Sequence, residues 1–413
     1  MDDIFDYLKW RGDLDFGAVP VSGADHMIFC CLSYIPFDGI LDSAADGQYM
    51  KLGRAAGEVL ARAGARDRTG QKDKAGLKDR TGQKDKAGLE DETGQDNMPE
   101  PVKFHLESDK KLLRYIAESH RYRDIRAGHF VDIFSVDLQE QFCGVTFILP
   151  NGDIVVSFRG TDGTIIGWKE DFNMGFLDCL PSQSDAVIYL TDTASALSGD
   201  IYVCGHSKGG NLAMYSSAFS APEVRERIRE IRNLDGPGFK SRITDSEGYK
   251  SVVERMRTFI PQGSIVGMIL EHPERTTVVR SRARGTGQHD IYSWEISRDG
   301  FAEADSLSNQ SILANKALNE WVEKMSDEKR MKLTDGIYSL IENSEIKTLE
   351  ELFEARNLFA IMRKYGRLDD ETKELVSETG RIFMDAVRRG RKEQKGKESK
   401  AGKELTGTKG KEE

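Results

Sequence analysis

Over residues 107–120 the large apolar side chains Leu112, Leu113 and Ile116 fall on one side of a helical wheel, which predicts an amphipathic helix. The period then shortens. Residues 142–149 (FCGVTFIL) and 154–158 (IVVSF) are apolar runs on either side of Pro150-Asn151-Gly152-Asp153. Asn-Gly between two such runs is a strong hairpin signal, because the tightest turns need residues that tolerate positive φ. Residues 184–198 suit a helix, 201–204 (IYVC) a short buried strand, 209–219 a helix and 231–235 another strand. Residues 256–260 and 265–270 are apolar, and 276–280 (TTVVR) read as a further strand. Strands alternating with helices predict an α/β fold with a mostly parallel sheet and helices on both faces. Upstream, Phe16, Val19, Ile28, Phe29, Leu32 and Tyr34 supply apolar anchors, with a helix expected near 24–34. Downstream, Leu318, Trp321, Val322, Met325, Leu333, Ile337, Leu340 and Ile341 give 305–390 a helical character.

Two stretches carry no such pattern. Residues 68–79 (RTGQKDKAGLKD) are repeated at 80–91 (RTGQKDKAGLED), and a partial third copy starts at 92. Each full copy offers one Leu and no aromatic residue, too little apolar surface to offset the entropy of ordering. The tail 391–413 is rich in Lys, Glu and Gly, with Leu405 its only large apolar residue. The expected organisation is therefore an N-terminal part of the main domain at 1–64 and a disordered repeat insertion at 65–98. The core follows at 99–304, then a C-terminal helical appendage at 305–390 and a disordered tail at 391–413.

Composition narrows the function. The formal charge of −10 argues against general nucleic-acid affinity, which needs a cationic surface. The five cysteines form no CxxC pair, and most sit in apolar runs, as expected for buried thiols of a reduced, cytoplasmic protein. The opening MDDIFDYLKWRGD is acidic and lacks the apolar core of a signal peptide. No apolar run reaches the length of a membrane span, which leaves peripheral membrane contact open.

The densest chemical signal is Tyr202-Val203-Cys204-Gly205-His206-Ser207-Lys208-Gly209-Gly210-Asn211. An apolar strand runs into G-x-S-x-G, and a helix-compatible run follows. In such a nucleophile elbow the chain reverses so sharply that side chains two residues before and after the serine would collide, hence Gly205 and Gly209. The start of the helix also favours negative charge developing beside Ser207. A serine nucleophile needs a base, an orienting acid and an oxyanion hole. In this kind of fold the chain order is serine, acid, histidine. Only His272 and His289 follow Ser207. His289, in the late loop Gly285-Thr286-Gly287-Gln288-His289-Asp290, is the expected base, and His272 reads as a surface turn residue. His206 is expected to point away from Ser207 and serve packing. Asp235, at the end of the strand after the elbow, is the expected acid, with Asp245, Glu271 and Asp290 as rivals. The loop Phe158-Arg159-Gly160-Thr161-Asp162-Gly163 is suited to the oxyanion hole, with the backbone N–H groups of Thr161 and Lys208 as donors.

On these residues the chain resembles the lipase-like α/β-hydrolases, and among them the Mbeg1-like family. The motifs carrying the likeness are Phe158-Arg159-Gly160-Thr161 with Trp168 and Asp171 downstream, Gly-His-Ser207-x-Gly-Gly, and His289-Asp290…Ser293-Trp294. The likeness covers roughly 1–60 and 100–350. The first motif looks like that of class-3 lipases, which implies that Asp171 braces the oxyanion loop. Class-3 lipases carry their acid in an Asp-Pro-Val-like turn; here that region reads Ile260-Pro261-Gln262-Gly263-Ser264-Ile265-Val266, without a carboxylate. Leu234-Asp235-Gly236-Pro237 looks more like the pancreatic-type lipases, with the acid one strand earlier. The expectation is hydrolysis of a small-molecule carboxylic ester of a lipid or acyl chain through an acyl-enzyme, without cofactor or metal. The alternative is a non-catalytic binding or scaffold protein on the same fold.

Overall fold

The computed structural model describes residues 2–75, 107–135, 137–161, 179–298 and 300–309, with further positions at 170, 174, 311–313, 315–316, 326–341, 365–366, 368–378 and 381. One eight-stranded sheet follows chain order: β1 (Met50–Lys51), β2 (Arg126–Ser135), β3 (Glu140–Ile148), β4 (Ile154–Phe158), β5 (Ile201–His206), β6 (Ile228–Leu234), β7 (Met256–Pro261) and β8 (Arg275–Val279). β1 to β4 pair antiparallel, and β4 to β8 run parallel. The β3–β4 hairpin turns at Asn151-Gly152 as the sequence predicts, with Gly152 at φ +91°.

The helices are α1 (Ile4–Arg11), α2 (Gly23–Leu32), α3 (Leu52–Ala75), α4 (Glu107–Glu118), α5 (Pro181–Ala196), α6 (Lys208–Phe219), α7 (Pro222–Arg227), α8 (Ser241–Thr244), α9 (Glu247–Val252) and α10 (Asp327–Ile341). Parallel neighbours laid down in chain order by crossovers of one hand carry their crossover helices on one face. Accordingly α5, α6 and α9 share one apolar cluster with Ile154, Val156, Phe158, Ile201, Val203 and Ile231. Alternate residues of the same strands point the other way. Cys143, Val145, Phe147, Val155 and Cys204 need cover that no crossover supplies, and the N-terminal layer α1–α4 provides it. Ile28, Phe29 and Leu32 of α2 are fully buried there. Arg121 holds this layer together. Its wholly buried guanidinium pairs with Asp25 at 2.7 Å and donates to the carbonyls of Leu14, Asp15, Val19 and Pro20, so the buried charge is compensated.

The expected helix at 107–120 spans Glu107–Glu118, and the TTVVR strand spans Arg275–Val279. The apolar stretch at 265–270 holds one 3-10 turn, Val266–Met268. α3 continues past 64 into the first repeat copy, and residues 76–106 lie outside the described residues, as does the tail 391–413. In the C-terminal helical region the described residues include α10 and a helical stretch at 370–378. The free thiols of Cys30, Cys31, Cys143 and Cys204 are buried, while Cys179 is exposed. Among the described residues no helix is long and apolar enough to cross a membrane.

Candidate active site

β5 ends at His206, and α6 begins at Lys208. Ser207 alone makes the reversal, at φ +58° and ψ −131°, backbone that a non-glycine residue holds at a cost of about 1–3 kcal/mol. Neither flanking glycine has room for a side chain. A Cβ on Gly205 would lie 2.1 Å from the carbonyl oxygen of Gly209, and one on Gly209 would lie 2.1 Å from that of Phe158. The strain is held by hydrogen bonds from Ser207 N–H to the Leu234 carbonyl (2.9 Å) and from Gly210 N–H to the Ser207 carbonyl (2.9 Å).

Asp235 follows β6 at φ +54° and is completely buried. His289 closes a 3-10 turn, Gly285–His289, and its side chain is about one-third exposed. The three side chains form a line: His289 Nε2 lies 3.0 Å from Ser207 Oγ, and His289 Nδ1 lies 2.7 Å from Asp235 Oδ2. If Nδ1 donates to the carboxylate, Nε2 is left to accept the serine proton.

The rival residues go elsewhere. Asp290 caps the next 3-10 turn, accepting from Tyr292 N–H at 3.0 Å. Asp245 lies 3.6 Å from Lys250 at the surface, and Glu271 accepts from the Thr244 hydroxyl. His272 is mostly buried rather than at the surface, and pairs with the buried Glu274 at 2.8 Å. His206 does turn from Ser207, but it is not simply packed. It hydrogen-bonds Tyr34 Oη and the main-chain oxygen of His289, each at 2.9 Å.

The Arg159-Gly160-Thr161 segment lies against the elbow, so closely that a Cβ on Gly160 would come within 2.9 Å of Ser207 Cβ. Arg159 is held by a two-pronged ion pair to Asp132, at 2.8 and 2.7 Å. Lys208 is the first residue of α6, where a backbone N–H has no acceptor within the helix. Trp168 and Asp171, expected to support this loop, lie outside the described residues. A chain-family model described as Mbeg1-like matches residues 116–339, more than half of the sequence.

The chain belongs to the Mbeg1-like family. No curated protein matches it. The Mbeg1-like match takes in Ser207, Asp235, His289, Thr161 and Lys208, and leaves out Tyr34.

Several contacts of this Mbeg1-like site go beyond the residues read from sequence. Ser264 Oγ donates to the second carboxylate oxygen of Asp235 and accepts from Gly267 N–H at 3.1 Å. Ser264 sits in the very turn where the class-3 pattern would carry its acid, so the turn that lacks a carboxylate holds one from the neighbouring strand. The Lys208 side chain was not anticipated either. It runs inward to a fully buried ion pair with Glu170 at 2.6 Å, and also donates to the Gln141 carbonyl. Glu170 accepts in addition from Gln141 N–H and Ser182 N–H. The pair therefore links the residue after Ser207 to three other parts of the chain. Among the described residues no group of three or more His, Cys, Asp or Glu could hold a metal ion.

Proposed function

We propose that this chain is a serine hydrolase that cleaves carboxylic esters of lipid or acyl groups by way of an acyl-enzyme. The observation that carries the reading is the line of hydrogen bonds from Asp235 through His289 to Ser207 Oγ on a strained elbow. In the proposed reaction Ser207 Oγ attacks the ester carbonyl while His289 Nε2 takes its proton. The backbone N–H groups of Thr161 and Lys208 stabilise the oxyanion. His289 then returns the proton to the leaving alcohol, and water repeats the sequence to release the acid. Asp235, fixed by Ser264, orients the imidazole and stabilises its charged form. Family membership supports a lipase-like hydrolase; the ester class rests on the motif likeness to lipases.

A panel of p-nitrophenyl esters of graded chain length tests the reading. Turnover by the full chain that vanishes in Ser207→Ala, with a preferred acyl length, is the expected result. Equal turnover by the parent and Ser207→Ala would reject it.

A further inference from the structure

We propose that Tyr34 and His206 are positioning residues that lock the Gly160–Thr161 loop and the His289 loop to one another, so that the N-terminal layer completes the active site. The proposal rests on the hydrolase reading for its catalytic consequence, but its geometry stands separately. Gly160 N–H donates to Tyr34 Oη at 3.2 Å, and Tyr34 Oη lies 2.9 Å from His206 Nδ1. On the far side of the ring, His206 Nε2 lies 2.9 Å from the main-chain oxygen of His289.

Donor and acceptor capacities give the chain one direction. A carbonyl oxygen can only accept, so His206 Nε2 carries a proton. In a neutral ring Nδ1 is then the acceptor, and Tyr34 must donate to it. That leaves the Tyr34 oxygen to accept from Gly160. Burial pushes the Tyr34 phenol well above its ordinary value, which keeps that proton in place. Each link thus supports the next, from the loop with the expected oxyanion donor to the residue that supplies the base.

Both loops gain a restraint from this chain, beside the bonds that Gln288 makes with Gly263 and Trp294. His289 lies on a turn that opens at Gly285 with φ +57°, and its ring is open to solvent on one side. The His206 ring packs against it, with centroids 4.7 Å apart. Gly160 has no side chain with which to anchor itself, and a Cβ there would come within 2.5 Å of both Tyr34 Oη and the His206 carbonyl oxygen. Tyr34 is held by its own element. It follows α2, whose apolar side is buried in the N-terminal layer and whose Phe29 carbonyl accepts from Ser157 Oγ of β4 at 3.0 Å. Misplacing a base or an oxyanion donor by an ångström can lower turnover by about a hundredfold. A residue outside the family-matched region therefore sets the geometry of residues within it.

The test uses the full chain with Tyr34→Phe, which keeps the ring and removes the hydroxyl, and His206→Gln. Hydrogen–deuterium exchange should quicken in peptides covering Gly160 and His289 and stay unchanged in β6 and β7. Turnover of p-nitrophenyl butyrate should fall roughly 10- to 100-fold in kcat with KM nearly constant. The double variant should be little worse than the poorer single one, since both break one chain. Unchanged exchange in folded Tyr34→Phe, or loosened loops with parental kcat, overturns the proposal. Failure of the hydrolase reading looks different, because the parent itself would then take no covalent adduct at Ser207. In that event the exchange comparison alone decides whether the two loops are locked.

Discussion

At Asp235 two different neighbours share one carboxylate. One oxygen faces His289 Nδ1 at 2.7 Å, and the other accepts from Ser264. Asp290, adjacent to His289 in sequence, spends its side chain on a turn cap. Exchanging each for Asn separates the two roles. Asp235→Asn should lower kcat by roughly 10³–10⁴-fold, because the amide favours the wrong imidazole tautomer. Asp290→Asn should stay within a few-fold of the parent. Steady-state kinetics on the same ester decides, and equal activity of Asp235→Asn and the parent would remove Asp235 from the mechanism. The line-up of Ser207, His289 and Asp235 matches the order expected from glycine crowding and chain order, and its catalytic role is the proposal. Ser264 left a fainter trace, a hydroxyl in a turn where a family pattern expects a carboxylate. Tyr34 left none, since its contact with His206 spans 172 positions and follows only from the packing of α2.

Among the elements, β3 to β8 and α4 to α6 follow from apolar runs or helical spacing between turn signals, β3 and β4 being buried on both faces. β2 was missed. Its outer half alternates between half-buried and exposed positions, and a bulge between Gly128 and Val131 interrupts its pairing with β3. In the sequence α1 shows only as an acidic start. Its Asp3 caps the helix by accepting from Phe5 and Asp6 N–H, and the Asp6 side chain accepts from Asp3 N–H in return. This capping box uses Asp in place of the usual Glu or Gln, which hides it from a simple motif reading. α6 shows why an element can carry chemistry that its pattern conceals. Lys208 and Asn211 look like ordinary polar residues of a first turn, yet both are buried. Lys208 meets Glu170, while Asn211 donates to the carbonyls of Pro237 and Gly238 just after Asp235. The helix thus grips both Glu170 and the segment after Asp235.

For the whole molecule, the sequential strand order explains why the N-terminal layer is needed; two of its helices, α2 and α4, follow from local pattern, but their packing together on one face of the sheet does not. The layer and the crossover face also set the pH response. Burial lowers His26 and His129 to about 4, and the same effect, with the Asp185 carboxyl nearby, pushes Glu140 up to about 8. Between pH 4 and the ordinary histidine value of 6.5, the unfolded chain binds protons at both histidines that the folded chain does not, so they make stability rise with pH. Glu140 acts oppositely: from its ordinary 4.5 up to about 8 only the folded chain keeps the proton, and stability falls as pH rises. Two histidines outweigh one glutamate up to pH 6.5, and the glutamate acts alone above it. Urea midpoints measured from about pH 5 to about pH 8.5 should peak near 6.5, and Glu140→Gln should flatten the alkaline limb. A midpoint still climbing between pH 7 and 8 would refute this balance. The central claim, that Ser207 is an activated nucleophile, is tested most directly by intact-mass analysis after treatment with a fluorophosphonate probe. The account predicts one adduct per folded chain, located on Ser207 and absent from Ser207→Ala; a folded parent that takes no adduct, or an adduct that persists in Ser207→Ala, would contradict it.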